Sequence, residues 1–253
     1  MKIKAVIFDI GQTLVYYPIP LNWSALYRPA FESIAEKLKL SITEKEYTHI
    51  GEVLAKYNTR INPREIEVSS DTIFNEILSG TNISLEYLDV IKNDFYSFFR
   101  NDIQIYADAV ETLQKIKSRN ILIGTLSDVA YGMDNSYALE DIKPLLIYID
   151  VPFTSNDVGY RKPSGKGLEI LSRKMNVLTS EMIFVGDEKK DMECAINAGA
   201  IGILINRSDE EKKYGQNYDI KELKELVTII EKTYFESNCK RDADVICHGG
   251  DGL

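Results

Sequence analysis

Histidine, cysteine and tryptophan are scarce in this chain, with two, three and one among 253 residues. Two histidines leave little material for imidazole acid–base chemistry. His49 stands among polar neighbours in a helical stretch and reads as a surface residue. The cysteines, Cys194, Cys239 and Cys247, are few and odd in number. They argue against a disulfide framework and for a reducing, cytoplasmic setting. Cys239, Cys247 and His248 cluster near the end but lack a fourth ligand and the spacing of a zinc site. Residues 236–253 read instead as a loose tail. No apolar run approaches the roughly 20 residues of a membrane span. No signal-peptide pattern precedes the first strand-like run. Positive charge is also short: 30 Lys and Arg against 39 Asp and Glu, a net charge of −9. That balance argues against nucleic acid or an anionic membrane as partner, since little offsets phosphate repulsion.

What is present is ordinary for a globular chain, 44% hydrophobic and 27% charged. The opening stretch Ala5-Val6-Ile7-Phe8 is a continuous apolar run that ends in Asp9. Such a run predicts a strand buried on both faces, as in parallel sheets. Ligands of open parallel sheets bind at the carboxyl ends of strands, where Asp9 stands.

Residues 16–102 predict an all-helical insertion. Leu26, Ala30, Ile34 and Leu38 recur at helical spacing, as do Tyr47, Ile50, Val53, Leu54 and Tyr57. Residues 70–79 and 84–99 give two further helices, and Asn62-Pro63 breaks the middle. Trp23 reads as packing within this block, and Tyr16 and Tyr17 as residues facing the site. Beyond residue 103 helix and strand alternate. Helices are expected over 107–118, 163–176, 192–198 and 219–234. Strands are expected over 121–126, 145–151, 182–185 and 201–205. This pattern implies a doubly wound, mostly parallel α/β sheet built from residues 1–15 and 103–253.

Polar residues collect at the ends of these strands: Asp9, Ser127-Asp128, and Gly186-Asp187 with Asp191 four residues on. A loop adds Arg161-Lys162-Pro163. Three converging carboxylates need a cation between them, and an oxygen-only donor set favours Mg²⁺. Ser127 and Lys162 supply a hydroxyl and a positive charge, a set suited to a phosphoryl group. Thr13 and Asp128 are read as further substrate contacts, with turn hydrogen bonding as the alternative for each.

These residues carry a resemblance. The four motifs, Asp9 through Leu14, Ser127, Lys162, and Gly186-Asp187 with Asp191, resemble those of the haloacid dehalogenase superfamily. The helical insertion sits where members with a helical cap carry it. The resemblance implies a hydrolase in which Asp9 attacks phosphorus and forms an aspartyl-phosphate. It implies Mg²⁺ held by Asp9, the Gly11 carbonyl, Asp187 and Asp191, with Ser127 and Lys162 on the phosphoryl oxygens. The implied substrate is a small phosphorylated metabolite. It also implies that the helical cap can move over the site. One position departs. Phosphatases of this family usually carry a second Asp two residues after the nucleophile, as general acid and base; here it is Gly11. Gln12 stands where the family usually has glycine. The departure touches proton transfer and leaves phosphoryl binding intact. It leaves three readings open: a phosphohydrolase that is slow or favours good leaving groups; a carbon–halogen or carbon–phosphorus hydrolase; and a weakly catalytic, regulatory phosphate-binding protein. The carbon–phosphorus reading needs a cap lysine, with Lys37, Lys39, Lys45 and Lys56 available.

Overall fold

β1 (Ala5–Phe8) is buried along its whole length and divides its side chains between two cores. Val6 and Phe8 enter one apolar cluster, Ala5 and Ile7 the other. Alternation of side chains across a strand produces this division, and it makes β1 the middle of a three-layer sandwich. The computed structural model describes residues 2–19, 22–100 and 102–233. The expected tail at 236–253, with Cys239, Cys247 and His248, lies outside the described residues.

β4 (Leu122–Ser127) and β6 (Met182–Gly186) flank β1, both parallel to it. β5 (Val151–Thr154), β7 (Ile201–Ile205) and β8 (Tyr218–Ile220) complete a six-stranded, all-parallel sheet in the order β5-β4-β1-β6-β7-β8. The chain leaves β1 toward β4 and β5, then returns to β6 on the other side. The carboxyl end of β1 is therefore a topological switch point, where such sheets bind ligands. α5 (Ala109–Lys117) packs on the face of Val6 and Phe8. α8 (Lys166–Met175) and α9 (Lys189–Ala198) cover the opposite face.

Residues between β2 (Val15–Tyr16) and β3 (Gln104–Ile105) contain the helical block. β2 and β3 pair antiparallel as a short ribbon beneath it. α1 (Trp23–Leu38), α2 (Glu44–Tyr57), α3 (Ser70–Ser79) and α4 (Leu88–Phe99) enclose a cluster of their own. Phe31, Ile34, Leu54, Phe74 and Phe95 lie at its centre. Thr43 and Glu46 start α2 with a reciprocal capping box, which satisfies amide donors that a helix leaves unpaired at its start.

Four expectations shift. The strand expected at 145–151 is a 3₁₀ segment over Glu140–Tyr148, and β5 begins only at Val151. Ile147 is 82% exposed, so the apolar run is not a buried strand. The helix expected from 219 is preceded by edge strand β8, and α10 covers 225–233. The helix expected from Pro163 begins at Lys166, after a turn in which the Ser164 amide donates to the Arg161 carbonyl (3.0 Å). His49 is half-buried, its Nε2 3.2 Å from the Glu76 carbonyl, against the surface position expected. Among the described residues no helix is long and apolar enough to cross a membrane.

Candidate active site

Parallel pairing aligns the ends of the three central strands, since Phe8 pairs with both Thr125 and Val185. Asp9, Ser127 and Asp187 consequently emerge side by side. Oxygens of Asp9, Asp187 and Asp191 lie within 4.8 Å of one another. Lys162 Nζ sits between two of them, 2.7 Å from Asp9 Oδ1 and 2.6 Å from Asp191 Oδ1. Burial alone would lower the Lys162 ammonium, but the Asp191, Asp9 and Asp128 carboxylates outweigh it and hold its pKa well above the ordinary value.

Gly186 makes room for Asp191. A Cβ at Gly186 would lie 2.4 Å from Asp191 Oδ2 and 2.5 Å from its Cγ. The same Oδ2 accepts from the Glu188 amide (2.8 Å) at the start of α9, so Asp191 both caps the helix and faces the cluster. Gly186→Ala is therefore expected to cost about 1–3 kcal/mol through overpacking at a fully buried position. Thermal denaturation checks this; an unchanged melting temperature would show that Asp191 moves aside freely.

The carboxylate cluster fits a hard divalent cation. Asp191 Oδ1 is buried, with the Lys162 ammonium at 2.6 Å as its one close partner among the described residues. Burial, then the Asp9 and Asp191 charges, push Asp187 up to about 8. Burial likewise pushes Asp191 up to about 6, against the opposing pull of Lys162. A cation among these oxygens would relieve the repulsion, and oxygen donors are those that Mg²⁺ takes.

Asp128 is occupied by the protein itself. Its Oδ1 accepts from the Lys162 amide (3.0 Å), and its Oδ2 lies 3.2 Å from Lys190 Nζ. Burial opposes ionisation, but Lys162, Lys190 and Arg161 together hold its carboxyl below the ordinary range. Asp128 lines the cavity, yet its contacts position the Lys162 loop. Thr13 is fully buried and stands apart from the cavity wall, so the expected substrate contact has no geometric support.

Gly11 and Gln12 are informative as a pair. Gln12 has φ 55°, a left-handed backbone that explains glycine's usual place there. Gly11 needs no such freedom, and a Cβ built on it meets only Tyr17 Cε2, at 3.8 Å. A side chain can therefore begin at Gly11 without a clash, on a residue that lines the cavity, yet the second carboxylate is absent.

Above the strand ends lies a cavity of about 750 Å³. Asp9, Gly11, Ser127, Lys162 and Asp187 form its floor, and Trp23, Asn58, Arg60 and Phe99 of the helical block form its walls. Tyr17 lines it as expected, whereas Tyr16 packs on Tyr106 (centroids 4.8 Å). None of Lys37, Lys39, Lys45 and Lys56 lines it.

Two residues that sequence reading missed tie the block to this floor. Glu67, between α2 and α3, accepts from Ser155 Oγ (2.5 Å) and from Arg161, which also donates to the Val129 carbonyl (2.7 Å). Backbone bonds Glu67 N to Gly159 O (3.0 Å) and Arg161 N to Glu65 O (2.7 Å) run alongside. Tyr131 leaves the loop after β4 and enters the apolar cluster of the helices, 4% exposed. Its φ of 51° and the following Gly132 (φ 62°) turn it there. A Cβ on Gly132 would strike the Val68 carbonyl at 2.2 Å. Neither residue has a local signal, because both act across long sequence separations.

The haloacid dehalogenase-like hydrolase family profile matches residues 3–199. A glyceraldehyde 3-phosphate phosphatase of Methanothermobacter thermautotrophicus is 26% identical over 242 residues, covering 89% of this chain and all of that protein. A haloacid dehalogenase-type phosphatase from Thermococcus onnurineus superposes with a TM-score of 0.57 at 22% identity, covering 90% of this chain and 98% of that one. A 2-haloacid dehalogenase from Pseudomonas syringae superposes with a TM-score of 0.64 at 19% identity, over 91% and 99% of the two chains. Those two likenesses establish the fold without separating the chemistries. With strand ends, carboxylates and lysine placed as described, this chain belongs to the haloacid dehalogenase-like hydrolases.

Proposed function

We propose that the chain is a Mg²⁺-dependent phosphohydrolase of a small phosphorylated metabolite, with residues 16–102 acting as a cap over the site. The observation that carries this reading is the acidic cluster of Asp9, Asp187 and Asp191 with Lys162 lodged against it. Two relatives named glyceraldehyde 3-phosphate phosphatase support the substrate class.

Ser127 and Lys162 hold the phosphoryl oxygens. Asp9, the Gly11 carbonyl, Asp187 and Asp191 would hold Mg²⁺, which neutralises phosphoryl charge when bound. An Asp9 oxygen forms a bond to phosphorus as the ester oxygen leaves with its electron pair. Water then attacks the phosphorus of the aspartyl-phosphate and releases inorganic phosphate, restoring Asp9. No acid at position 11 protonates the leaving oxygen, so the rate follows the stability of the departing anion. Of the competing readings, carbon–phosphorus cleavage loses its lysine, since none of the four cap lysines lines the cavity.

The test is phosphate release from acetyl and p-nitrophenyl phosphate with Mg²⁺, with 2-chloropropionate alongside. Phosphate without chloride is expected; chloride release alone would overturn the reading. Gly11→Asp separates binding from proton transfer, because the space for the side chain exists. It is expected to raise turnover of alkyl phosphates by about 10²-fold, the lower end of general acid–base contributions. Acyl phosphates should change far less. Equal gains on both would sink the missing-acid explanation.

A further inference from the structure

Cations line the cavity but are not free. Arg60 pairs with Glu188 (2.5 Å) and Arg100 with Asp141 (3.2 Å). Lys190 lies between Glu188 (2.9 Å) and Asp128 (3.2 Å), and Arg161 is bound to Glu67. Lys162 belongs to the phosphoryl end. Each cation lining the cavity among the described residues is thus paired with a carboxylate of the protein, and a second anionic group on a substrate would have to compete with those carboxylates.

Three neutral polar side chains of the wall are also engaged. Asn58 Nδ2 donates to Tyr27 Oη (2.8 Å) and Ser24 Oγ (3.2 Å), and its Oδ1 accepts from the Arg60 amide (2.9 Å). Tyr96 Oη donates to the Tyr131 carbonyl (2.8 Å), and Tyr57 Oη to Glu76 (2.6 Å). These three side chains are closed to a substrate hydroxyl, and unpaired hydroxyls are costly to bury.

What the wall does offer is ring surface. Trp23 stacks on Phe99 with centroids 3.9 Å apart and planes 12° apart, and Tyr131 braces it at 5.5 Å. All three line the cavity, Phe99 and Tyr131 buried and Trp23 half-buried. Tyr17 is half-buried there too, beside Gly11. The cavity volume falls in the upper part of the roughly 300–1,000 Å³ range of drug-sized ligand sites. A three-carbon ester would leave much of it to water.

We propose that the substrate is a phosphate monoester of an otherwise uncharged phenol, its ring seated against Trp23, with no second anionic group. The proposal rests on the phosphohydrolase reading and narrows it. It also accounts for Gly11. A phenolic oxygen leaves as a stable anion and needs little protonation, so the absent acid costs such a substrate least.

Non-hydrolysable phosphonates test ring binding apart from leaving-group reactivity. Calorimetric titration of the full chain with Mg²⁺ would compare benzylphosphonate, propylphosphonate and 4-carboxybenzylphosphonate. Benzylphosphonate is expected to bind about tenfold more tightly than propylphosphonate, the size of one ring stack and the area it covers. The carboxyl analogue is expected to bind more weakly than the benzyl one. Trp23→Ala should remove most of the benzyl preference and Trp23→Phe restore it. If circular dichroism shows Trp23→Ala unfolded, Trp23→Leu replaces it. Propylphosphonate binding as tightly as benzylphosphonate, or the carboxyl analogue binding tightest, would overturn the aromatic assignment alone. Failure of all three to bind, together with no phosphate release from any ester, would overturn the phosphohydrolase reading with it.

Discussion

Asp9→Asn is expected to reduce phosphate release by a factor on the order of 10⁴–10⁶, the scale seen when a covalent nucleophile is removed. The amide keeps the volume of the carboxylate but cannot attack phosphorus. Structure should survive, because Lys162 keeps its second partner, Asp191, at 2.6 Å. Removing one member of a buried pair costs most when the other is stranded, and here it is not. The substitution also takes one negative charge out of the cluster that Asp187 and Asp191 share with Asp9. Steady-state phosphate release and a thermal melt on the same sample decide the matter. Turnover persisting at a tenth of the original rate would defeat an aspartyl-phosphate on Asp9.

Chelation is the second large effect. Excess EDTA is expected to abolish hydrolysis and added Mg²⁺ to restore it, because the phosphoryl group would then meet the acidic cluster without a divalent cation to offset its charge. Phosphate release undiminished in EDTA would overturn the metal requirement, and chloride release persisting in EDTA would favour metal-free carbon–halogen chemistry. A pH dependence accompanies this. Without a cation, burial and its acidic neighbours hold Asp187 at about 8, so it carries a proton at neutral pH. Metal binding must displace that proton. Apparent Mg²⁺ affinity should therefore rise as pH increases toward about 8 and level off above it. A titration across that range showing flat affinity would mean that Asp187 is ionised before the metal arrives.

Much of the site was legible in the sequence because its residues follow from strand order. Continuous apolar runs such as Val6–Phe8 and Ile183–Val185 are buried on both faces, and that burial is what a parallel sheet requires. Each run ends where the chain must turn, so the polar residue that follows is placed by the sheet itself. The apolar run at 145–151 failed as a guide because most of it winds into a 3₁₀ segment with Ile147 turned to solvent. Edge strand β8 escaped because Tyr218 and Asp219 are exposed and only Ile220 is buried, leaving almost no apolar run to see. Thr13 illustrates a different limit: a motif gives the order of residues, not which of them face the cavity. The contacts of Glu67 and Tyr131 depend on how the helical block meets the sheet, and no periodicity within either segment reports that.

Tyr131 has a consequence for how such proteins diverge. The loop that begins at Ser127, on the phosphoryl side, ends four residues later inside the apolar cluster of the helices. Arg161, next to Lys162, is likewise held by Glu67 of the helical block. The two halves therefore do not form interchangeable modules. Transplanting a foreign helical block onto this sheet would leave a buried tyrosine without its pocket and a buried guanidinium without its carboxylate. Recombination that respects these couplings must carry residues 127–133 and 159–161 along with the helices. New specificity on this scaffold is more readily reached by point changes within the wall around Trp23 than by exchange of the block as a unit.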